Sequence, residues 1–280
     1  MICFPAAKIN LGLNIIDKRA DGYHNIESVL YPVPLHDILE FRTAKTFNIK
    51  TFGINLDINQ EENILFKTWS LLNEKYSVPP LEIILLKNIP LGSGLGGGSS
   101  DAAFLIKSAN KHFKLGLTIA EMKLAAAQTG SDCPFFIENK TACVSGRGEI
   151  LKDVKFSLQE KYLIIAYPNN IISSSDAYDK IQPHKPIKPV SEIILQSIET
   201  WKNELKNDFE ELIFTKYPQI KMLKESLYKS GAVYASMSGS GSSVYGVFNR
   251  QPVLTPAIIK QIVWAGFIDQ GCHLPSSIRP

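Results

Sequence analysis

Three separated stretches of this chain carry residue types that could do chemistry. In PLGSGLGGGSSDAA, residues 90–103, five of the chain's 18 glycines fall within seven positions, and Ser99, Ser100 and Asp101 follow them. Glycine admits positive φ and removes the Cβ that would hold a ligand off the backbone, while Ser and Asp favour helix starts. The stretch therefore reads as a loop opening into a helix N-terminus at the serines. Loop amides and the positive end of a helix dipole together suit an anion, phosphate above all. In AKINLGLNI, Lys8 and Asn10 lie two apart and share one face of an alternating strand. A lone lysine set among Pro, Ala, Ile and Leu is unusual, and such a residue is more often structural than catalytic. In TGSDCPFF, Pro134 biases Cys133 toward an extended conformation, which would display Asp132 on a bent segment. That leaves Asp132 open between an Asx-turn acid and a general base whose pKa a nearby cation would depress.

The elements that must position these residues follow from periodicity. Ile9, Leu11, Leu13 and Ile15 alternate with Lys8, Asn10, Gly12 and Asn14, a half-buried strand with a polar second face. Asp21-Gly22 marks a turn, and ESVLYPV and DILEFRTA read as strands. NQEENILFKTWSLLNEKYSV has helical periodicity, and LEIILLKNI is a strand delivering the glycine loop. TIAEMKLAAAQTG is a helix opened by a Thr118/Glu121 capping box and stopped at Gly130. TACVSGRGEILKDV reads as a hairpin and KYLIIAYP as a strand opening a second domain. NNIISSSDAYDK leads into a helix capped by serine, with helices around 191–213 and 218–230 to follow. AVYASMSGSGSSVYGVF is two strands about a second glycine–serine turn, and TPAIIKQIVWAGF is a helix with Pro256 in its first turn. The pattern is α+β in both halves, with domains expected at 1–155 and 156–280.

The glycine loop alone does not name a ligand. Gly92, Gly94 and Gly97 satisfy G-x-G-x-x-G, but no strand ending in an acid follows the helix as a dinucleotide site requires. No Lys follows the last glycine, so it is not a P-loop. A net charge of +3, from 30 basic and 27 acidic residues, is too small and dispersed for nucleic acid. Cys3, Cys133, Cys143 and Cys272 lack metal-ligand spacing, so no metal site is expected, and reduced thiols in a cytoplasmic protein are the default. The first residues carry no signal-peptide pattern and no run is long enough to span a membrane.

PAAKINLGLNI, RADGYHNIESVLYPV, IPLGSGLGGGSSDAA, TGSDCPFF, SGRGEI and MSGSGSSVYGVF occur in that order along nearly the whole chain. Together they resemble the GHMP kinases, the group of galactokinase, homoserine, mevalonate and phosphomevalonate kinases. AKINLGLNI with RADGYHNIES narrows the resemblance to the branch acting on a cytidine diphosphate-linked methylerythritol in the non-mevalonate route to isoprenoid precursors. The resemblance implies a two-domain GHMP kinase fold with its active site in the interdomain cleft. It implies ATP-dependent phosphorylation of that substrate's 2-hydroxyl, with Asp132 as base and Lys8 as its cationic partner. ATP would lie on Pro90, Leu91, Gly92, Ser93, Gly94, Leu95, Gly96, Gly97, Gly98, Ser99 and Ser100, with Mg2+ beside its phosphates and with Lys87 and Asn63 near the adenine. Asn10 would help hold the substrate. Tyr23 would stack on the cytosine, His24 hydrogen-bond it, and Tyr178 sandwich it from the other side. No partner is implied beyond the small-molecule substrate: no nucleic acid, no membrane and no obligate protein. Carry-over stops at 180–200, which has no firm match.

Overall fold

The computed structural model describes residues 1–54 and 59–268; Cys272, expected as a reduced thiol, lies outside them. The chain forms two compact units that are not consecutive segments. The first comprises 1–7, 35–91 and 96–140; the second comprises 8–34, 92–95 and the chain from 141 onward. The glycine loop thus leaves the first unit at Leu91, contributes Gly92–Leu95 to the second, and returns at Gly96.

In the first unit a four-stranded sheet has the order β1 (Ile2–Cys3), β4 (Ile38–Thr43), β6 (Leu81–Lys87), β5 (Asn48–Gly53). β6 is antiparallel to β4 and parallel to β5. Alternation decides its inner face: Leu81, Ile83 and Leu85 are buried while Ile84 and Leu86 are exposed. Among the described residues its α-helices are α1 (Ile64–Tyr76), α2 (Gly97–Phe113), α3 (Ile119–Ala127) and α4 (Cys133–Glu138). Ala102, Ala103, Leu105, Ile106 and Ala109 of α2 are fully buried, and Phe41 of β4 stacks on Phe113 at 6.3 Å. Both halves of the Thr118/Glu121 capping box are made.

Two sheets build the second unit. One has the order β2 (Ala6–Lys18), β3 (His24–His36), β7 (Ala142–Ser145), β8 (Ile150–Asp153), the last two forming the expected hairpin. The other has the order β10 (Tyr234–Met237), β11 (Val244–Phe248), β9 (Tyr162–Ala166), β12 (Ile262–Phe267). Its helices are α5 (Ser174–Tyr178), α6 (Val190–Ile193), α7 (Trp201–Glu204), α8 (Phe209–Lys216), α9 (Pro218–Lys229) and α10 (Pro256–Ile259). Ser173 caps α5 as expected, accepting from Asp176 N–H.

Five local expectations change. The polar face of β2 is not solvated: Lys8, Asn10 and Asn14 are buried with the apolar face, and Lys8 and Asn10 bond each other. The helix expected over 255–267 ends at Ile259, and 262–267 is a strand. Its Ile, Val, Trp and Phe suit a sheet, and the open edge of β9 supplies the partner, from Ile262↔Ala166 to Phe267↔Tyr162. The helix expected over 191–213 is broken into short pieces. Leu13 N–H donates to Lys206 O at 2.8 Å and Asp208 N–H to Leu13 O at 2.9 Å, so 206–208 runs as a rung along β2 instead of turning. Cys133 is helical rather than extended, because Pro134 sits at the second position of α4, where no N–H is needed. Finally, α2 starts at Gly97, two residues before the serines, with Gly96 in the left-handed conformation at its cap.

Candidate active site

Gly96 offers no side chain to the first turn of α2, so no side-chain oxygen caps that end. The first helical N–H groups have no partner within the helix. They are the donors an anion would meet, and the dipole adds to their attraction. The loop's glycines are required for different reasons. At Gly94 (φ +77°) a Cβ would fall inside the van der Waals radius of Ser238 O, so the neighbour that excludes a side chain is the second glycine–serine turn. At Gly97 a Cβ would lie 2.8 Å from Lys87 Nζ and 2.9 Å from Ile89 Cγ2. At Gly92 (φ +55°) it would meet Ile171. At Gly98, by contrast with Gly92, Gly94 and Gly97, the position is open, with Ile64 Cγ2 at 3.8 Å the nearest atom. Among the described residues nothing there accounts for glycine, and a ligand on the first turn would.

Lys87 is fully buried beneath that turn. Its ammonium pairs with Asp37 and, at 2.8 Å, with Asp101 of α2. Asp37 also accepts the N–H groups of Asn88 (2.6 Å) and Ile89 (2.9 Å), fixing the chain that leaves β6. Burial pushes the Asp101 carboxyl up to about 7 against the pull of the Lys87 cation. For Lys87 itself burial acts downward, and the two carboxylates more than offset it, so its pKa is raised. Ser100 Oγ and Asp101 Oδ1 are buried there without a hydrogen-bond partner. Asn63 caps α1 through its side chain, which accepts Leu65 N–H at 2.9 Å. Asp132 is half-buried at the cap of α4. Its neighbour Cys133 is no nucleophile, since burial lifts its thiol to about 11 despite bonds to Thr129 and Ser99.

In the second unit Lys8 Nζ donates to Asn10 Oδ1 at 2.6 Å and to Gly94 O at 3.0 Å. The shared strand face expected of Lys8 and Asn10 is thus a direct contact, and it reaches the glycine loop. Asn10 Nδ2 donates to Ser28 Oγ at 2.9 Å, and Ser28 Oγ to Gly12 O. Lys8 N–H donates to Leu95 O, lacing the glycine loop to β2, and Ser243 N–H donates to Ser93 O, lacing the second turn to that loop. Ser238 and Ser28 were not singled out by the sequence. The MSGSGSS run pointed to a turn, but nothing local pointed to Gly94 as what it touches.

The aromatic residues group differently from the expected sandwich. His24 and Tyr178 stack on each other, with centroids 5.5 Å apart and planes at 27°, and Phe209 meets Tyr178 edge-on at 4.9 Å. Tyr23 is 52% exposed, and the Arg147 guanidinium lies 4.9 Å from its ring centroid. Burial, with Lys18 adding to it, holds the His24 imidazole below its ordinary pKa.

Among known proteins, the GHMP kinases N terminal domain model matches residues 63–140 and the GHMP kinases C terminal model matches 190–254. A Bacteroides thetaiotaomicron protein named 4-diphosphocytidyl-2-C-methyl-D-erythritol kinase is 46% identical over 91% of this chain and 94% of its own length. One of the same name from Cytophaga hutchinsonii is 47% identical over 90% and 94%. A crystal structure titled 4-(cytidine 5'-diphospho)-2C-methyl-D-erythritol kinase superposes with a TM-score of 0.78 at 26% identity, covering 97% of this chain and all of that one.

Proposed function

This chain belongs to the GHMP kinases and, within them, to the 4-diphosphocytidyl-2-C-methyl-D-erythritol kinase family, and from that premise we propose the following reaction. It is an ATP-dependent kinase that transfers the γ-phosphoryl group to the 2-hydroxyl of 4-diphosphocytidyl-2-C-methyl-D-erythritol. Phosphoryl transfer leaves little covalent work to a protein; catalysis is positioning and charge stabilisation. The observation that carries the reading is the uncapped first turn of α2 with open space over Gly98. The ATP phosphates lie along the loop from Pro90 to Ser100, on the free N–H groups of the first turn of α2. Lys87, in the floor beneath the turn, and Asn63, at the start of α1, lie on the adenine side of the nucleotide.

Asp132 takes the proton from the attacking hydroxyl, and Lys8 supplies the positive charge that favours the alkoxide. Asn10, which touches Lys8, holds the substrate alcohol. Tyr23, His24 and Tyr178 take the cytosine, the tyrosines by stacking and His24 by a hydrogen bond to its polar edge. Among the described residues no group of three or more His, Cys, Asp or Glu could hold a metal ion alone. Mg2+ held with the nucleotide would supply positive charge to offset that of its phosphates. The buried, unpartnered Ser100 hydroxyl is the kind of hard oxygen donor that fits it. Nucleotide binding belongs in this reading to residues up to 155, with 156–280 as the second domain and the cytoplasm as the compartment.

ADP release measured with the cytidyl substrate, with homoserine and with phosphomevalonate tests the assignment. Release should depend on the cytidyl compound, and phosphorus NMR should place the new phosphate on the 2-hydroxyl. Turnover of phosphomevalonate or homoserine at a comparable rate would overturn the substrate, and ADP release indifferent to all three would overturn the kinase.

A further inference from the structure

We propose that Asn207 is a positioning residue for phosphoryl transfer, acting through the Ser238 turn on the Gly94 carbonyl and the Lys8 ammonium; the proposal rests on the reaction assigned above.

Asn207 is only 3% exposed, and its side-chain amide is engaged at both ends. Nδ2 donates to Met237 O and to Gly239 O, each at 2.8 Å, and Oδ1 accepts Phe209 N–H at 3.0 Å. A primary amide supplies two donors and an acceptor at this size, a combination neither Asp nor Ser has. The two carbonyls flank Ser238, so the side chain clamps the turn from behind. Ser238 Oγ then donates to Gly94 O at 2.8 Å and accepts Asn10 N–H at 3.2 Å. Gly94 O is the same oxygen that accepts Lys8 Nζ. Gly94 and Gly239 touch backbone to backbone, a Cβ on Gly239 reaching Gly94 Cα at 3.2 Å, so the turn does not shift without moving the loop.

Asn207 is itself anchored to the strand that carries Lys8. The Leu13 rungs to Lys206 and Asp208 tie 206–208 to β2. A second brace acts beside it: Glu210 Oε1 accepts Met237 N–H at 2.9 Å and Ser236 Oγ at 3.0 Å, and Glu210 Oε2 takes Lys224 at 2.5 Å. The links close a ring from β2 through 206–208, Asn207, the turn and Ser238 back to Asn10 and Lys8. Charge placement at a reacting centre tolerates little displacement, so a loosened ring should lower the chemical step more than ground-state binding.

The alternative is a residue that only caps α8. Asn207→Asp separates the two, because a carboxylate still accepts Phe209 N–H but turns acceptors toward Met237 O and Gly239 O. The expected result is a kcat about ten- to a hundredfold lower, with KM for ATP and for the cytidyl substrate within about threefold of wild type. Unchanged kcat in folded Asn207→Asp overturns the proposal in favour of the cap. Ser238→Ala, which deletes the hydroxyl between Asn10 and Gly94, should reproduce the kcat loss and carries the test should Asn207→Asp fail to fold; unchanged kcat there overturns it too. The double variant should be no worse than about threefold below the poorer single, since both act through one path. Losses that multiply would mean independent roles and overturn it. Amide exchange at Asn10 gives a readout independent of turnover: it should quicken in Asn207→Asp, and unchanged exchange counts against the ring. Wild-type protein inactive on the cytidyl substrate would instead defeat the assigned reaction, with the exchange result still deciding the ring.

Discussion

Replacing Gly98 with alanine should weaken ATP binding without weakening the fold. Gly98 is the second residue of α2, and its Cβ would meet nothing nearer than Ile64 Cγ2 at 3.8 Å, an ordinary contact. Alanine in place of glycine in a helix is favourable by up to about 1 kcal/mol, so Tm should hold or rise by about 2 °C. Helical Cβ atoms lean toward the N-terminus, here toward the phosphates proposed to lie on the first turn. A methyl there displaces an oxygen from one charge-assisted hydrogen bond, about 1.5–3 kcal/mol, or roughly ten- to a hundredfold in Kd. Gly97→Ala is the control, one residue away. Its Cβ would press on Lys87 Nζ at 2.8 Å, and Lys87 cannot yield because Asp37 and Asp101 pin it. That overpacking should cost about 1–3 kcal/mol of stability and lower Tm. Titration calorimetry with ATP, beside thermal unfolding of both variants, reads the two effects separately. A folded Gly98→Ala protein that binds ATP within about a factor of two of wild type would refute the placement of phosphate on this turn.

Asp132→Asn should lower turnover by about a hundredfold or more while leaving ATP affinity intact; activity near wild type in a burst-free assay would remove Asp132 as the base. Lys8→Met should likewise lower kcat more than nucleotide affinity, and the reverse split would assign Lys8 to phosphate binding alone. Tyr178→Ala removes the ring stacked on His24, and should raise KM for the cytidyl substrate roughly five- to a hundredfold with KM for ATP unmoved; an unchanged cytidyl KM would take Tyr178 out of the base site. The buried Asp101 carboxyl gives a pH signature. With its folded pKa raised to about 7 from the ordinary 3.8, the folded state binds more protons than the unfolded state between those values. Its contribution to stability is therefore full below pH 4 and is lost as pH rises to 7. Denaturant midpoints of wild type and Asp101→Asn across pH 4–8 should diverge in that sense, the wild type losing ground as pH rises, and parallel curves would refute it.

Local pattern in the sequence was enough for the elements whose rules are local. The capping box at Thr118 and Glu121, the 142–153 hairpin, the serine cap on α5 and the glycine loop opening α2 each follow from residues a few positions apart, because caps and turns are satisfied by near neighbours. The order of the motifs also carried the family. Tertiary structure decided what those neighbours could not specify. Lys8 and Asn10 were legible as one face of a strand, but the burial of that face depends on Ser28, Gly94 and Ser238, up to 230 positions away from Lys8. The glycines at 94 and 97 looked alike in sequence, yet one makes room for the Ser238 carbonyl and the other for Lys87. Lys87 reads as a lone cation until Asp37 and Asp101 arrive from 50 and 14 residues away. The 262–267 segment has helix-compatible spacing and becomes a strand because β9 offers an unpaired edge, and 206–208 leaves the helical path because β2 offers hydrogen bonds. Hydrophobic period and capping fix what a segment prefers in isolation; the partner that satisfies a buried charge or an open backbone edge is chosen only when distant segments meet.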